Sequence, residues 1–520
     1  MDRDLLQGQA MRKWCIRIVA VLVMIATVLG VTGWFLARRW QPYVREQVVR
    51  YLQDRFGTGV ELPDLHVDVS WVSPLEWRTA VLRVTGEGLK LPPVVKVGRF
   101  EMEAELGALW KTPRRIRRVR LSQAEFDIPP KEMRRGVSTG GTVPAVMVDT
   151  IQMDVATLRI FPSDPAKPPR DFEIHSLTLK GMGPGRAMAY QARLTNPTPP
   201  GIIDVTGEFG PWVKDDPGLT PISGKYRFEQ ADLSVFHAIA GILESSGKFD
   251  GVLRRIEVDG ETRTPDFRLA GGYAVPLHTR FHSIVDGTSG DTLLEPVRAT
   301  LGSSHLIARG GVIRPRGAAR RRIALDVKMS GGRIEDLLRL AVKSREPFLR
   351  GAIGLHTKME IEPVGGEFSE RLLLDGDFDV EESHFTGGSV QSKIDQLSRR
   401  AQGHPKDESI SDVISSIHGG FSMRDGQISF GSLTFEVPGA AIRLKGMYGL
   451  YSEEVDLHGE ARLQAKVSQT MTGWKRIALK PVDPFFSKDG SGTLLPIKVV
   501  GTREQPQFGL DRKKREAAEE

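Results

Sequence analysis

Three histidines and one acidic, glycine-rich turn are the residues from which this chain would have to build a metal or phosphate site. His278 and His282 stand four apart, with His305 further on. That spacing puts two imidazoles on one face of a helix, but zinc hydrolysis on a helix also needs a glutamate directly after the first histidine, and it is absent. All three lie in or near strand-patterned sequence, where residues four apart share a face at wide separation. Asp286, Gly287, Gly290 and Asp291 suggest phosphate or metal binding, yet they lack the lysine and helix of a phosphate loop and the ligand period of a calcium loop. They read as a sheet turn. Asp232 and Asp266 read as a helix cap and a turn-ordering side chain, and no Ser-His-Asp set is marked by spacing. No catalytic residue, metal ligand or cofactor is assigned, and the expectation is a protein that is not an enzyme; a hydrolase would need a convergent polar pocket.

The formal charge of +7 raises nucleic acid as a partner, and Lys111 to Arg120 is densely basic through Arg114, Arg115, Arg117, Arg118 and Arg120. Ile116 and Val119 interrupt the run in strand-like alternation, and no zinc-finger spacing or recognition helix accompanies it. The run reads as a solvated strand face or a surface near anionic headgroups, and nucleic acid is not expected.

The elements that would position any site begin with an apolar run from Cys15 to Leu36. At about 1.5 Å per residue it would measure roughly 33 Å as a helix, enough to cross a hydrocarbon core. A cleaved signal is the alternative, with Arg12, Lys13 and Arg17 as its basic region, but the run lacks a small-residue cleavage pattern. The expectation is a transmembrane helix over 15–36 after a short cytoplasmic segment, 1–14, with the bulk of the chain in a bacterial periplasm. A juxtamembrane helix is predicted over 38–57, with Val44, Val48, Tyr51, Leu52 and Phe56 as its stripe. The lone Cys15 falls inside the apolar run, so disulfides and cysteine-rich metal sites are excluded.

From Val60 the dominant period becomes two: Leu65, Val67 and Val69, then Leu82 and Val84, then Phe100, Met102 and Ala104, then Phe126 and Ile128. Period two places one set on one sheet face. Three helical interruptions are predicted: Leu233 to Leu243 behind Asp232, a stripe of Ile334, Leu337, Leu338 and Ala341, and a weaker one of Ile410, Val413, Ile414 and Ile417. The pattern divides into a β-rich groove region, 60–225, a central β-rich region with short helices, 226–400, a C-terminal antiparallel region, 401–510, and a charged tail, 511–520. Short turns such as Arg424-Asp425-Gly426-Gln427 favour antiparallel meandering. The fold class expected is a membrane-anchored, mainly β protein with a twisted antiparallel sheet, open as a groove and closed by short capping helices. If the sheet curls without closing, Leu433, Phe435, Val437, Ile442 and Leu444 line an apolar trough suited to lipid tails. A β-sandwich burying the same residues is the alternative, because alternation does not distinguish the two.

Several glycine-punctuated stretches add a resemblance. Val84 to Leu91 with the block through Pro129, Phe228 to Leu233 through Gly251, Val258 to Phe267, Val285 to Thr292, Gly492 to Thr502 and Pro506 to Phe508 together resemble the AsmA-like family of bacterial envelope proteins. The resemblance implies an inner-membrane protein whose periplasmic body is an elongated β-groove. It implies binding or transfer of phospholipid in outer-membrane lipid homeostasis, or else a structural or regulatory role in outer-membrane protein assembly without lipid. The implied partners are phospholipids, the membrane and other envelope proteins. It supplies no catalytic residues.

Overall fold

The computed structural model describes residues 61 to 511 apart from 63, 71–79, 92–94, 109–110, 129–145, 162–167, 214, 270–271, 319, 342–345, 364–367, 451, 467–492 and 503–504. In chain order the strands are β1 (Asp64–Ser70), β2 (Val81–Leu91), β3 (Val95–Glu105), β4 (Arg114–Ile128), β5 (Val146–Ile160), β6 (Arg170–Met182), β7 (Met188–Pro197), β8 (Pro200–Phe209) and β9 (Pro221–Asp232). They continue with β10 (Ile239–Ala240), β11 (Ile242–Val252), β12 (Arg255–Thr264), β13 (Arg268–Leu269), β14 (Leu277–Val285), β15 (Thr292–Leu301), β16 (Ser304–Ile313) and β17 (Arg322–Arg333). Helix α1 (Ile334–Ala341) leads to β18 (Leu349–Ile361), the single turn α2 (Phe368–Arg371), β19 (Leu372–Phe385) and helix α3 (Gly388–Ala401). The chain then runs through β20 (Ser415–Arg424), β21 (Gln427–Val437), β22 (Ala440–Gly449), β23 (Glu454–Leu463), β24 (Thr493–Thr502) and β25 (Pro506–Leu510).

The chain divides into two compact units. The first comprises the residues up to Val235 with Leu243–Gly260 and Val285–Thr288; the second comprises Phe236–Ile242, Glu261–Ile284 and everything from Ser289.

In the first unit each strand from β1 to β9 pairs with the next, and β9 also pairs with β11. Period two becomes burial here. Val84, Met102, Val119 and Ile151 meet in one register row, Phe100, Leu121 and Met153 in the adjacent one, and all are buried. Further along the same rows, Leu179, Tyr190, Leu177 and Ala192 are half-buried. Gly88, Gly98, Gln123 and Val155 on successive strands are left out of the pairing, while the register on either side of them is unchanged. Gln123 and Val155 both take left-handed backbone, with φ of 55° and 53°.

In the second unit the strands from β15 to β25 pair consecutively and antiparallel. Edge strand β25 pairs only with β24 among the described residues, so the sheet ends there without closing. The two longer helices meet the same end of these strands. Buried Asp336 of α1 accepts from the Ser303 amide and hydroxyl at 2.9 Å and from the Ser304 hydroxyl at 2.8 Å, pinning the helix to the β15–β16 turn. On α3, buried Asp395 accepts from the Val413 amide at 3.0 Å, and the Ser398 hydroxyl donates to the Pro438 carbonyl at 2.8 Å.

Several expectations are corrected. Among the described residues no helix is long and apolar enough to cross a membrane. The run at 15–36 and the helix at 38–57 lie outside the described residues. The membrane-anchored fold class, the inner-membrane and periplasmic placement and the membrane partnership are withdrawn, because hydropathy reports what a segment would tolerate and not which element forms. The sheet is also not wholly antiparallel, since β4 and β5 pair in parallel from Arg114–Val146 to Ile128–Ile160. Of the three helical interruptions predicted within the described residues, only Ile334–Ala341 forms where its stripe predicts it. Leu233–Phe236 is a short 3-10 turn, with Asp232 accepting from the Ser234 amide at 2.9 Å, and strand β11 begins at Ile242. Ile410 to Ile417 leads into β20, in keeping with the strand preference of β-branched side chains. Helix α3 escaped notice because its stripe of Val390, Ile394, Leu397 and Ala401 is set among Ser, Gln, Lys and Arg.

Val155 is 69% exposed, so no packing offsets its left-handed conformation. Val155→Asn should raise stability by about 1 kcal/mol, since Asn tolerates this region and a β-branched residue does not. Urea unfolding measures it; an unchanged or lower midpoint would mean that the left-handed conformation of Val155 carries no strain.

Candidate functional site

The candidate site is the inner face of the second unit's sheet. One register row runs Leu306, Met329, Leu355, Phe378, Gly419, Leu433, Leu444, Gly459, Ile497 and Leu510 from β16 to β25. The adjacent row runs Ala308, Val327, Thr357, Gly376, Phe421, Phe430, Gly446, Leu457, Val499 and Phe508. No position in either row is charged, and the one hydroxyl, on Thr357, donates to the Asp375 carbonyl at 3.2 Å. The alternate positions carry the charge on the other face, where His356 lies 3.2 Å from Asp326. A Cβ added at Gly376 or Gly459 would lie inside the van der Waals envelope of the His356 or Arg443 carbonyl oxygen on the neighbouring strand. Glycine at these two positions lets the neighbouring strand approach closely, and the two rows lie side by side as one apolar face of an open sheet, the candidate trough.

The trough is covered unevenly. Beneath α3, Val437, Ala440 and Leu463 are buried with Ile394 and Ala401, and Phe435 packs beside them. Beneath α1, Met329, Leu349, Ile353 and Val380 form a second packed cluster. Phe378, at the margin of the α1 cluster, is half-buried beside the half-buried Phe421 and Phe430, with ring centroids 6.1 and 6.5 Å away. Half-burial leaves part of each ring facing open space.

The five positions singled out from sequence converge on this face. Leu433 stands opposite Leu444 and Phe435 opposite Ile442, while Val437 pairs with Ala440. Val437 and Phe435 seat α3; Leu433 and Leu444 belong to the trough row that runs on to Phe378 and Leu355. Phe378, Phe421 and Phe430 are not among the trough candidates read from the sequence. Their alternation with Gly376, Gly419 and Ser429 was legible, but a bulge between Phe430 and Leu433 shifts the phase that would have joined them to Leu433.

The polar candidates resolve into structural roles. Asp286 accepts from the Thr288 amide and hydroxyl at 2.8 and 2.6 Å, and Arg321 pairs with Asp291 at 2.7 Å, as a turn requires. Asp266 accepts from the Ile242 amide at 2.9 Å. His278 lies 3.6 Å from Glu261, and among the described residues no group of three or more His, Cys, Asp or Glu side chains is arranged to hold a metal ion. The basic run of β4 is laced to its neighbours: Arg115 meets Asp149 at 2.9 Å, Arg117 meets Glu103 at 3.7 Å and Arg120 meets Glu101 at 3.7 Å, while Ile116 and Val119 are buried. A cavity of about 480 Å³ at the β17 bulge gathers Lys328, Ser330, His356, Asp377, Asp379 and Glu381, a polar surface of mixed charge.

No family model, curated protein or solved structure matches this chain. The resemblance to AsmA-like envelope proteins is corrected accordingly: an open, mostly antiparallel sheet is present, but glycine-punctuated strands recur wherever a sheet bends, and they do not define a family.

Edge strand β25 is tied down by one titratable contact. His458 Nδ1 lies 2.7 Å from Asp511 and its Nε2 lies 2.9 Å from Asp456. Both partners only accept, so the ring that satisfies both is the imidazolium, and the hydrogen bond to Asp511 foremost holds the His458 pKa above its ordinary value. This stabilisation is complete below the unfolded histidine pKa of about 6.5 and is lost as pH rises through the higher folded value. Amide exchange of β25 should accelerate across that rise in the native chain but not in His458→Gln; an identical pH response in both would remove His458 from the contact.

Proposed function

We propose that this protein binds lipid acyl chains along the apolar inner face of its second unit, without catalysing a reaction on them. The observation that carries the reading is the half-buried state of Leu355, Phe378, Phe421, Phe430 and Leu433 on a sheet that ends without closing. A sheet that used this face only for its own core would bury these side chains fully, as β2 to β5 do with theirs. Each acyl methylene taken out of water onto such a surface is worth about 0.8 kcal/mol, so a long chain needs no specific polar contact to be retained. The phospholipid named by the sequence reading is one carrier of such chains, and transfer along the trough is a further step of the same proposal. A scaffold whose apolar face serves its own packing is the competing reading, favoured by the residues seated under α3.

The test is native mass spectrometry of the full chain after incubation with a long-chain fatty acid carrying a photoreactive tail. One bound chain per protein and crosslinks at Phe378, Phe421 or Phe430 are expected. Phe421→Asp should weaken retention roughly tenfold, the equivalent of about two methylenes displaced. A folded protein that retains no chain, or crosslinks confined to other surfaces, would favour the scaffold.

A further inference from the structure

Edge strand β25 bears two large apolar side chains that nothing among the described residues covers: Phe508 is 63% exposed and Leu510 57%. Both belong to the trough rows, opposite Val499 and Ile497. Over the Phe508 ring, 5.8 Å from its centroid, stands the Lys393 ammonium of α3. Lys393 makes no ion pair among the described residues, and the trough rows beneath it contain no carboxylate. A cation placed over the open end of an uncharged apolar floor is complementary to a molecule with an anionic head and an apolar tail.

Resting on the acyl-chain reading above, we infer that the trough takes anionic amphiphiles from its β25 edge, with the carboxylate or phosphate head on Lys393 and the chain along the exposed Phe508 and the half-buried Val499, Phe430 and Phe421. Five inter-strand spacings of about 4.8 Å separate Phe508 from Phe421, roughly 24 Å, which suits an extended long chain. Gly446 lies between Leu457 and Phe430 in this row and adds no side chain to it. The head remains wet, as a charged group must where no buried partner awaits it.

The experiment uses the full chain and three probes of equal chain length, a fatty acid, its methyl ester and a trimethylammonium amphiphile, with acetate and inorganic phosphate as chainless anions. The fatty acid should bind about fivefold tighter than the ester, the scale of an exposed ion pair, and the cationic probe weaker than both. The chainless anions should not compete at equal concentration; competition would assign the lysine to free anions and overturn the inference. Lys393→Gln should abolish the preference for the acid with ester affinity unchanged, and Lys393→Arg should keep it. If the preference survives Lys393→Gln, or if that variant loses all three probes together, the head is not held by Lys393 although the acyl-chain reading stands. If the native chain binds none of the probes, that reading fails and this one with it.

Discussion

Antiparallel pairing makes every strand share its two faces with its neighbours, and this constraint decides where each side chain of the second unit can go. Once Leu433 stands opposite Leu444, every second residue between one bulge and the next is committed to the same surface, and a slip of one residue would exchange the apolar rows for the charged ones. The backbone ladder supplies the geometry, and the alternation of apolar and charged residues makes only one register tolerable. Ion pairs such as Arg193 with Asp204 at 2.9 Å add little by comparison, since they lie in water.

The same constraint distinguishes the two units in their degree of coverage. In the first, the inner face of β2 to β5 is fully buried and acts as a core. Farther on, Tyr190 and Tyr226 stand half-buried on that face; burial pushes the Tyr190 phenol up to about 12, and its hydroxyl donates to the Ser223 carbonyl at 3.2 Å, so the surface stays uncharged. In the second unit α1 and α3 cover one end of the strands and leave the aromatic centre partly open. Asp336 and Asp395 are what hold these helices, because a buried carboxylate that accepts several hydrogen bonds cannot move without leaving donors unpaired.

Much of this was legible beforehand. Leu82, Val84, Phe100, Met102, Ala104 and Phe126, picked out by period two, are all buried in one core. Ile334–Ala341 formed where its stripe fell. The misreadings share a cause. Leu233 to Leu243 and Ile410 to Ile417 have helical spacing, yet hydrogen bonding to neighbouring strands competes with a local helix and wins where the side chains are β-branched. The parallel pairing of β4 with β5 joins consecutive strands, and alternation along a strand reads the same whether its neighbour runs parallel or antiparallel.

What the sequence determined by itself was the period of each segment, hence strand or helix over most of the chain, the identity of the apolar face, and the absence of any disulfide, since there is one cysteine. What only the tertiary structure decided was how much of that face remains open. Val437 and Leu433 are alternate members of one apolar run, yet Val437 is buried beneath α3 and Leu433 stays half-buried in the trough row. The difference arises from a helix forty residues away in the chain folding back across one end of the strands, an event set by long-range packing that periodicity along a strand does not carry.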